Sequence, residues 1–298
     1  MLRILLMDVN VLESELTTIK TPSDSGKSTE EISVQKKPSD ADLIPINKLT
    51  KSTLSDSNSQ SYPLVVLVAC GSYSPITHMH LRIFEQAKNY LMYESPNQKF
   101  DVVGALLSPV HDAYGKKSLI RDLHRINMCK LATEDSSWIA VSSWEISQAG
   151  WTTTAETLMK YQTVLNSAHL YTSDIRVMLL CGADVVESTK IPDLWRPDHI
   201  KLIFGTIGVV VIERIGLDLQ VLIEQDPVLS LYKQNIHIVP QTIINNISAT
   251  SVRNLLANNL SVKYLLPDKV IKYIEDNELY GYSKKVAEQR KQKYITEC

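Results

Sequence analysis

ACGSYSPITHMHLRIFEQA, residues 69–87, is the stretch whose reading decides the fold. It continues LVVLVA (64–69), a run apolar at every position, which is how a strand buried on both faces reads. Gly71 and Ser72 follow at once, and Pro75 fixes a turn. A helix is expected to begin near Thr77 or His78, with Leu81, Phe84 and Ala87 or Lys88 along one stripe. Strand, turn and helix in that order form half of a parallel crossover unit. In open parallel sheets ligands lie beyond the carboxyl ends of the strands.

Working outward, five more short apolar runs read as buried strands: DVVGALLS (101–108), WIAVSS (138–143), VMLLC (177–181), IGVVVIE (207–213) and NIHIVP (235–240). Helical patterns separate several of them, HLRIFEQAKNYL (80–91), LHRINMCKLAT (123–133) and ETLMKYQTVLNSA (156–168). The alternation predicts an α/β fold, a Rossmann-like open parallel sheet with right-handed crossovers and helices on both faces, with a small helical region toward the C-terminus.

The flanks differ from this body. Residues 1–62 hold 17 Ser or Thr and no aromatic residue before Tyr62, too little apolar surface to offset ordering entropy, so a disordered extension is expected there. MLRILLM is a poor targeting signal, because Asp8, Glu13 and Glu15 follow it at once. Residues 63–280 are expected to be the α/β domain, and 281–298 a solvated basic tail with five basic residues against two acids. A net charge of −2 speaks against duplex nucleic acid as a partner, and no run is long enough to span a membrane. Four scattered cysteines, Cys70, Cys129, Cys181 and Cys298, with no CxxC pair, read as thiols in a reducing compartment.

Free N–H groups at Gly71–Ser72 and at the following helix start suit phosphate oxygens, helped by the helix dipole. The stretch has neither GxGxxG nor GxxxxGK[ST], so dehydrogenase and P-loop readings lose their main support. Of its two histidines, His78 reads as a surface residue. His80 reads as a donor to phosphate beside the backbone N–H groups. In NNISATSVRNLLANN, Ser248 is an expected N-cap, Thr250 lies in the first turn and Arg253 one turn on, a second anion-competent helix start. Two such starts on one sheet suit a polyphosphate held between them.

These motifs carry a resemblance. GSYSP with Thr77, Met79 and His80, and ISATSVR (247–253), resemble the signatures of the nucleotidyltransferase superfamily, specifically of the eukaryotic nicotinamide/nicotinate mononucleotide adenylyltransferases. SPVHDAYGKKSL (108–119), HRINMCKLA (124–132), SWE with Trp151, LLCGAD (179–184), IPDLW (191–195) and VKYLLPDKVIKYI (262–274) extend it over Leu64 to Tyr280. Met79 stands where many superfamily members have glycine, and Tyr73 and Ser74 where GSFNP has Phe and Asn.

The resemblance implies transfer of AMP from ATP to nicotinamide or nicotinate mononucleotide, with Mg²⁺ bound mainly through substrate phosphates and no protein metal site. It implies phosphate contacts for Gly71, Ser72, His80, Lys116, Ser248, Thr250 and Arg253. Trp151, Thr154, Leu194 and Trp195 would hold the pyridine end; Gly182, Asp184 and Arg214 would lie near the adenosine and ribose, with Asn245 just before the second motif. Trp138 and Trp144 are assigned to the core. A homo-oligomer is expected. So is a cytoplasmic or nuclear setting, since a nuclear address could rest only on the C-terminal basic run. The rival readings are another superfamily transferase with a different acceptor, and a chaperone-like protein-binding role for the same cleft.

Overall fold

The computed structural model describes residues 38–51 and 62–297, positions 215, 242, 244 and 246 excepted. Its order is α1 (Asp40–Leu43), β1 (Leu64–Gly71), α2 (His78–Asn89), β2 (Asp101–Pro109), α3 (Asp122–Ala132), β3 (Ile139–Val141), α4 (Thr154–Ser167), β4 (Ile175–Gly182), α5 (Ala183–Ser188), α6 (Pro197–Ile200), β5 (Val209–Ile212), α7 (Leu219–Gln225), β6 (Ile236–Val239), α8 (Ala249–Ala257), α9 (Asp268–Asp276) and α10 (Lys284–Glu297). All six strands run parallel in the order β3-β2-β1-β4-β5-β6. The chain builds outward from β1 to β3, then returns to the other side of β1 to start β4. That reversal opens a crevice between the carboxyl ends of β1 and β4.

Every predicted strand is present, because the central strands are buried on both faces and the edge strands β3 and β6 largely so, and each reads as an apolar run. Along β1 the side chains alternate. Leu64, Val66 and Val68 enter a core with α4 and α5, whereas Val65, Leu67 and Ala69 enter a second core with α2, α3, α8 and α9. Trp138 and Trp144 are both buried, as assigned from the sequence. Ser248 caps α8 with its side-chain oxygen, as expected, and the start of α2 falls where the sequence placed it, with Thr77 as its cap. Cys129 and Cys181 are buried and Cys70 partly so, all three unpaired, while Cys298 lies outside the described residues.

Two terminal expectations change. Residues 1–37 and 52–61, most of the segment expected to be disordered, lie outside the described residues. Residues 38–51 are part of the fold. Ile44 is fully buried, the Thr50 N–H donates to the Val103 carbonyl at 2.7 Å, and Asp40 accepts from Trp144 Nε1 at 2.9 Å and from Lys160 at 2.8 Å. Leu49 lies over β2 where the strand has Gly104; a Cβ there would stand 2.3 Å from Leu49 Cδ2. This strap carries only a few apolar residues, each spent on a distant partner, so local composition hides it. The tail expected from residue 281 is instead largely helical, as α10.

Candidate active site

A cavity of about 890 Å³ opens at the crevice between β1 and β4. The turn after β1 forms one wall. Tyr73 sits there at φ +44°, a left-handed conformation that costs energy in a side-chain-bearing residue. It is held by its hydroxyl donating to the Ala69 carbonyl at 2.7 Å and by edge contact with the His80 ring at 5.3 Å. The tyrosine ring passes so close to Gly71 that a Cβ would stand 3.0 Å from it. Gly71 thus makes the turn possible from beneath, and Ser72 lines the cavity.

His80 lies in the first turn of α2, partly buried. Its Nδ1 accepts from the Thr77 backbone N–H at 2.9 Å. A backbone N–H can only donate, so Nδ1 carries no proton and Nε2 is the donor. Burial pushes the pKa of the ring down to about 4. His80 is therefore a neutral, oriented N–H donor rather than a cation, and it adds no charge to the site.

The opposite wall is the start of α8. Ser248 Oγ is occupied as the cap, accepting from the Ser251 N–H at 3.1 Å. Arg253 Nη1 donates to the Ser74 carbonyl at 2.7 Å and Nη2 to Thr250 Oγ1 at 3.1 Å, so the guanidinium spans from α8 to the turn after β1. Lys116 and Ser118 come from the loop after β2, and Ser118 offers its carbonyl to Ser74 Oγ at 3.2 Å. Gly182 and Asp184 come from the end of β4, Arg214 from beyond β5, and Asn245 from the segment before α8. Asp184 lies in the first turn of α5, whose N-cap is Gly182.

Trp151, Thr154, Leu194 and Trp195 are not among the residues lining this cavity. Trp151 is half exposed and tilted against Tyr114, with ring centres 6.1 Å apart. Thr154 opens α4, with Thr153 as its cap. Leu194 lies in a turn, its N–H bonded to the Ile191 carbonyl at 3.3 Å. Trp195 packs on the core and donates Nε1–H to Ser188 Oγ at 3.0 Å. His78 is exposed, as its surface reading expects.

The family-model comparison fits this geometry. A profile described as cytidylyltransferase-like matches residues 68–255. The chain is 40% identical to nicotinamide/nicotinic acid mononucleotide adenylyltransferase 1 of Bos taurus, over 73% of this chain and 89% of that one. It is 38% identical to the nicotinamide/nicotinic acid mononucleotide adenylyltransferase of Arabidopsis thaliana, over 80% of this chain and 97% of that one. The chain belongs to the nicotinamide/nicotinic acid mononucleotide adenylyltransferase family. The fold agrees with that of the nicotinic acid mononucleotide adenylyltransferase of Plasmodium falciparum complexed with NaAD, at a TM-score of 0.53 and 18% identity, over 74% of this chain and 98% of that one. As a member of this adenylyltransferase family the chain is a nucleotidyltransferase of NAD synthesis.

At the carboxyl end of β2 in this adenylyltransferase lies a buried polar group that sequence reasoning gave no role. Glu145 accepts from Ser108 Oγ, which also meets the Tyr161 hydroxyl at 2.6 Å. Burial pushes the Glu145 carboxyl up to about 7, against hydrogen bonds from Ser108 and Cys70 and the charge of Arg125. The only sequence signal was an acid next to Trp144 in the SWE segment. Because the folded pKa lies above the ordinary value of 4.5, the folded chain holds a proton that the unfolded chain releases. Its stability contribution therefore falls as pH rises from about 4.5 to about 7, by about 3 kcal/mol at 1.36 kcal/mol per unit. Glu145→Gln is expected to gain on the wild type in unfolding temperature between pH 5 and pH 8. A difference that stays flat across that window would refute the raised carboxyl.

Proposed function

We propose that this cavity joins ATP to nicotinamide or nicotinate mononucleotide, with two anion-competent helix starts, those of α2 and α8, holding the phosphates. A phosphate oxygen of the mononucleotide attacks the α-phosphorus of ATP in line. The bond from that phosphorus to the β-phosphate bridging oxygen breaks, and pyrophosphate leaves with the electron pair. The attacking phosphate is already anionic at neutral pH, so no protein base or nucleophile is required. What the protein contributes is position and charge.

The neutral His80 donates from Nε2 to the α-phosphate as charge builds there. Lys116 reaches a phosphate from the loop after β2, and Thr250 and Arg253 take the β- and γ-phosphates at α8. Gly182, Asp184 and Arg214 serve the adenosine end. Mg²⁺ would be held mainly by the ATP phosphates, whose oxygens suit a hard cation, and would supply charge neutralisation there; among the described residues no cluster of three or more His, Cys, Asp or Glu is placed to hold it. The pyridine ring is assigned to Trp151, Thr154, Leu194 and Trp195. The exposed face of Trp151 suits a flat cationic ring.

The observation that carries this reading is that His80, Lys116, Thr250 and Arg253, from three separate segments, face one cavity at the sheet's reversal point. The test is pyrophosphate release and NAD formation from ATP and Mg²⁺, with and without each mononucleotide. Stoichiometric dinucleotide and pyrophosphate are expected. ATP binding without turnover on either pyridine mononucleotide would move the reading to another acceptor.

A further inference from the structure

Arg125, in α3, is fully buried and is not among the residues lining the active-site cavity, yet it touches both the turn after β1 and the loop after β2. Its Nε donates to the Ile120 carbonyl at 2.9 Å, Nη1 to the Ser72 carbonyl at 3.1 Å, and Nη2 to the Val110 carbonyl at 2.6 Å and to Asp112 Oδ1 at 2.9 Å. Val110 and Ile120 are the two ends of the loop that carries Lys116. Ser72 is the first side chain of the turn after β1 that faces the cavity. One rigid planar group therefore holds both ends of the lysine loop against the phosphate turn.

We infer that Arg125 is a positioning residue for phosphate binding, setting Lys116 and Ser72 at the spacing that one triphosphate can bridge. A charge buried to this degree is costly to desolvate, and a well-packed apolar residue commonly serves stability as well or better. What an apolar residue cannot do is fix three carbonyls in one plane. Binding of the Ser72 carbonyl to Arg125 also turns the Tyr73 N–H the opposite way, because the two point apart across a trans peptide. A lysine cannot substitute, since its donors radiate from one point and cannot reach three separated carbonyls in a plane.

The inference rests on the role given to Lys116 above, and a double-mutant cycle separates the two. The kcat and the KM for ATP are measured for the wild type, Arg125→Lys, Lys116→Ala and the double variant. Arg125→Lys is expected to lower kcat/KM for ATP about tenfold. Lys116→Ala is expected to cost about thirtyfold in the wild type but no more than about threefold beside Arg125→Lys, the non-additivity of groups that act together. Asp112→Asn, a change at an exposed residue, removes the anionic partner of Arg125 and carries the same cycle should Arg125→Lys fail to fold; there the Lys116→Ala penalty is expected to shrink to a lesser degree. An undiminished Lys116→Ala penalty in both backgrounds would make Arg125 a purely structural residue and overturn the inference. A wild-type Lys116→Ala penalty below twofold would also overturn it, and would place the failure in the role of Lys116 itself.

Discussion

Replacing His80 with asparagine is expected to lower kcat by about 100- to 1000-fold, the cost of removing one oriented donor to a developing oxyanion, with little change in unfolding temperature. Asparagine separates the two jobs of the imidazole. Its Oδ1 can still accept the Thr77 N–H that Nδ1 accepts at 2.9 Å, so the start of α2 keeps its closure. Nothing in asparagine reaches as far as Nε2, so the donor to the α-phosphate is lost. The pH dependence tests the protonation state directly. With the free ring held down to about 4 by burial, it does not change charge between pH 5.5 and pH 8. The substrate phosphates titrate near pH 6 with either enzyme. The ratio of wild-type to His80→Asn kcat/KM is therefore expected to stay constant over that range. A ratio that falls with rising pH through 6.5 would mean that His80 works as an imidazolium, and kcat within tenfold of the wild type would remove it from the chemistry.

The sheet was legible because its strands advertise themselves. A parallel strand covered on both faces has no polar positions, and LVVLVA or VMLLC can hardly be anything else. The two helix starts were legible for a local reason as well, since an N-cap is a short-range event and Thr77 and Ser248 are good caps. What stayed hidden depends on distant partners. Leu49 needs Gly104, and Asp40 needs Trp144 and Lys160, so the strap of residues 38–51 looks like the polar sequence around it. Arg125 reads as one more charge on a helix until the chain brings Ser72, Val110 and Ile120 around it. Trp195 shows the limit in the other direction. Its position in the sequence gives no hint of what holds it: the ring is partly buried, packed on one side against the core, with its N–H bonded to Ser188. Residue type and loop position do not determine which way a side chain turns.

Arg253→Ala is expected to lower kcat/KM for ATP by about 100-fold, which is about 2.7 kcal/mol at 1.36 kcal/mol per decade. Two of the five guanidinium donors are engaged within the protein, at the Ser74 carbonyl and Thr250 Oγ1, and these fix the plane of the group. The remaining donors are left for phosphate, and hydrogen bonds from a charged group are the stronger kind. Because the β- and γ-phosphates become the leaving pyrophosphate, the contact strengthens as the bond to the α-phosphate breaks. The loss is therefore expected in kcat as well as in the KM for ATP, with the KM for the mononucleotide changing less than threefold. Arg253→Lys is expected to recover less than about tenfold of the loss, since an ammonium keeps the charge but cannot hold Ser74, Thr250 and a phosphate together. Thr250→Val tests the support, since it removes only the oxygen that holds Nη2, and a cost of about three- to tenfold is expected, the scale of a single hydrogen bond. Full recovery by lysine would reduce the site to a point charge. An unchanged KM for ATP in Arg253→Ala would place the triphosphate away from α8, leaving the turn after β1 as its only helix-start anchor.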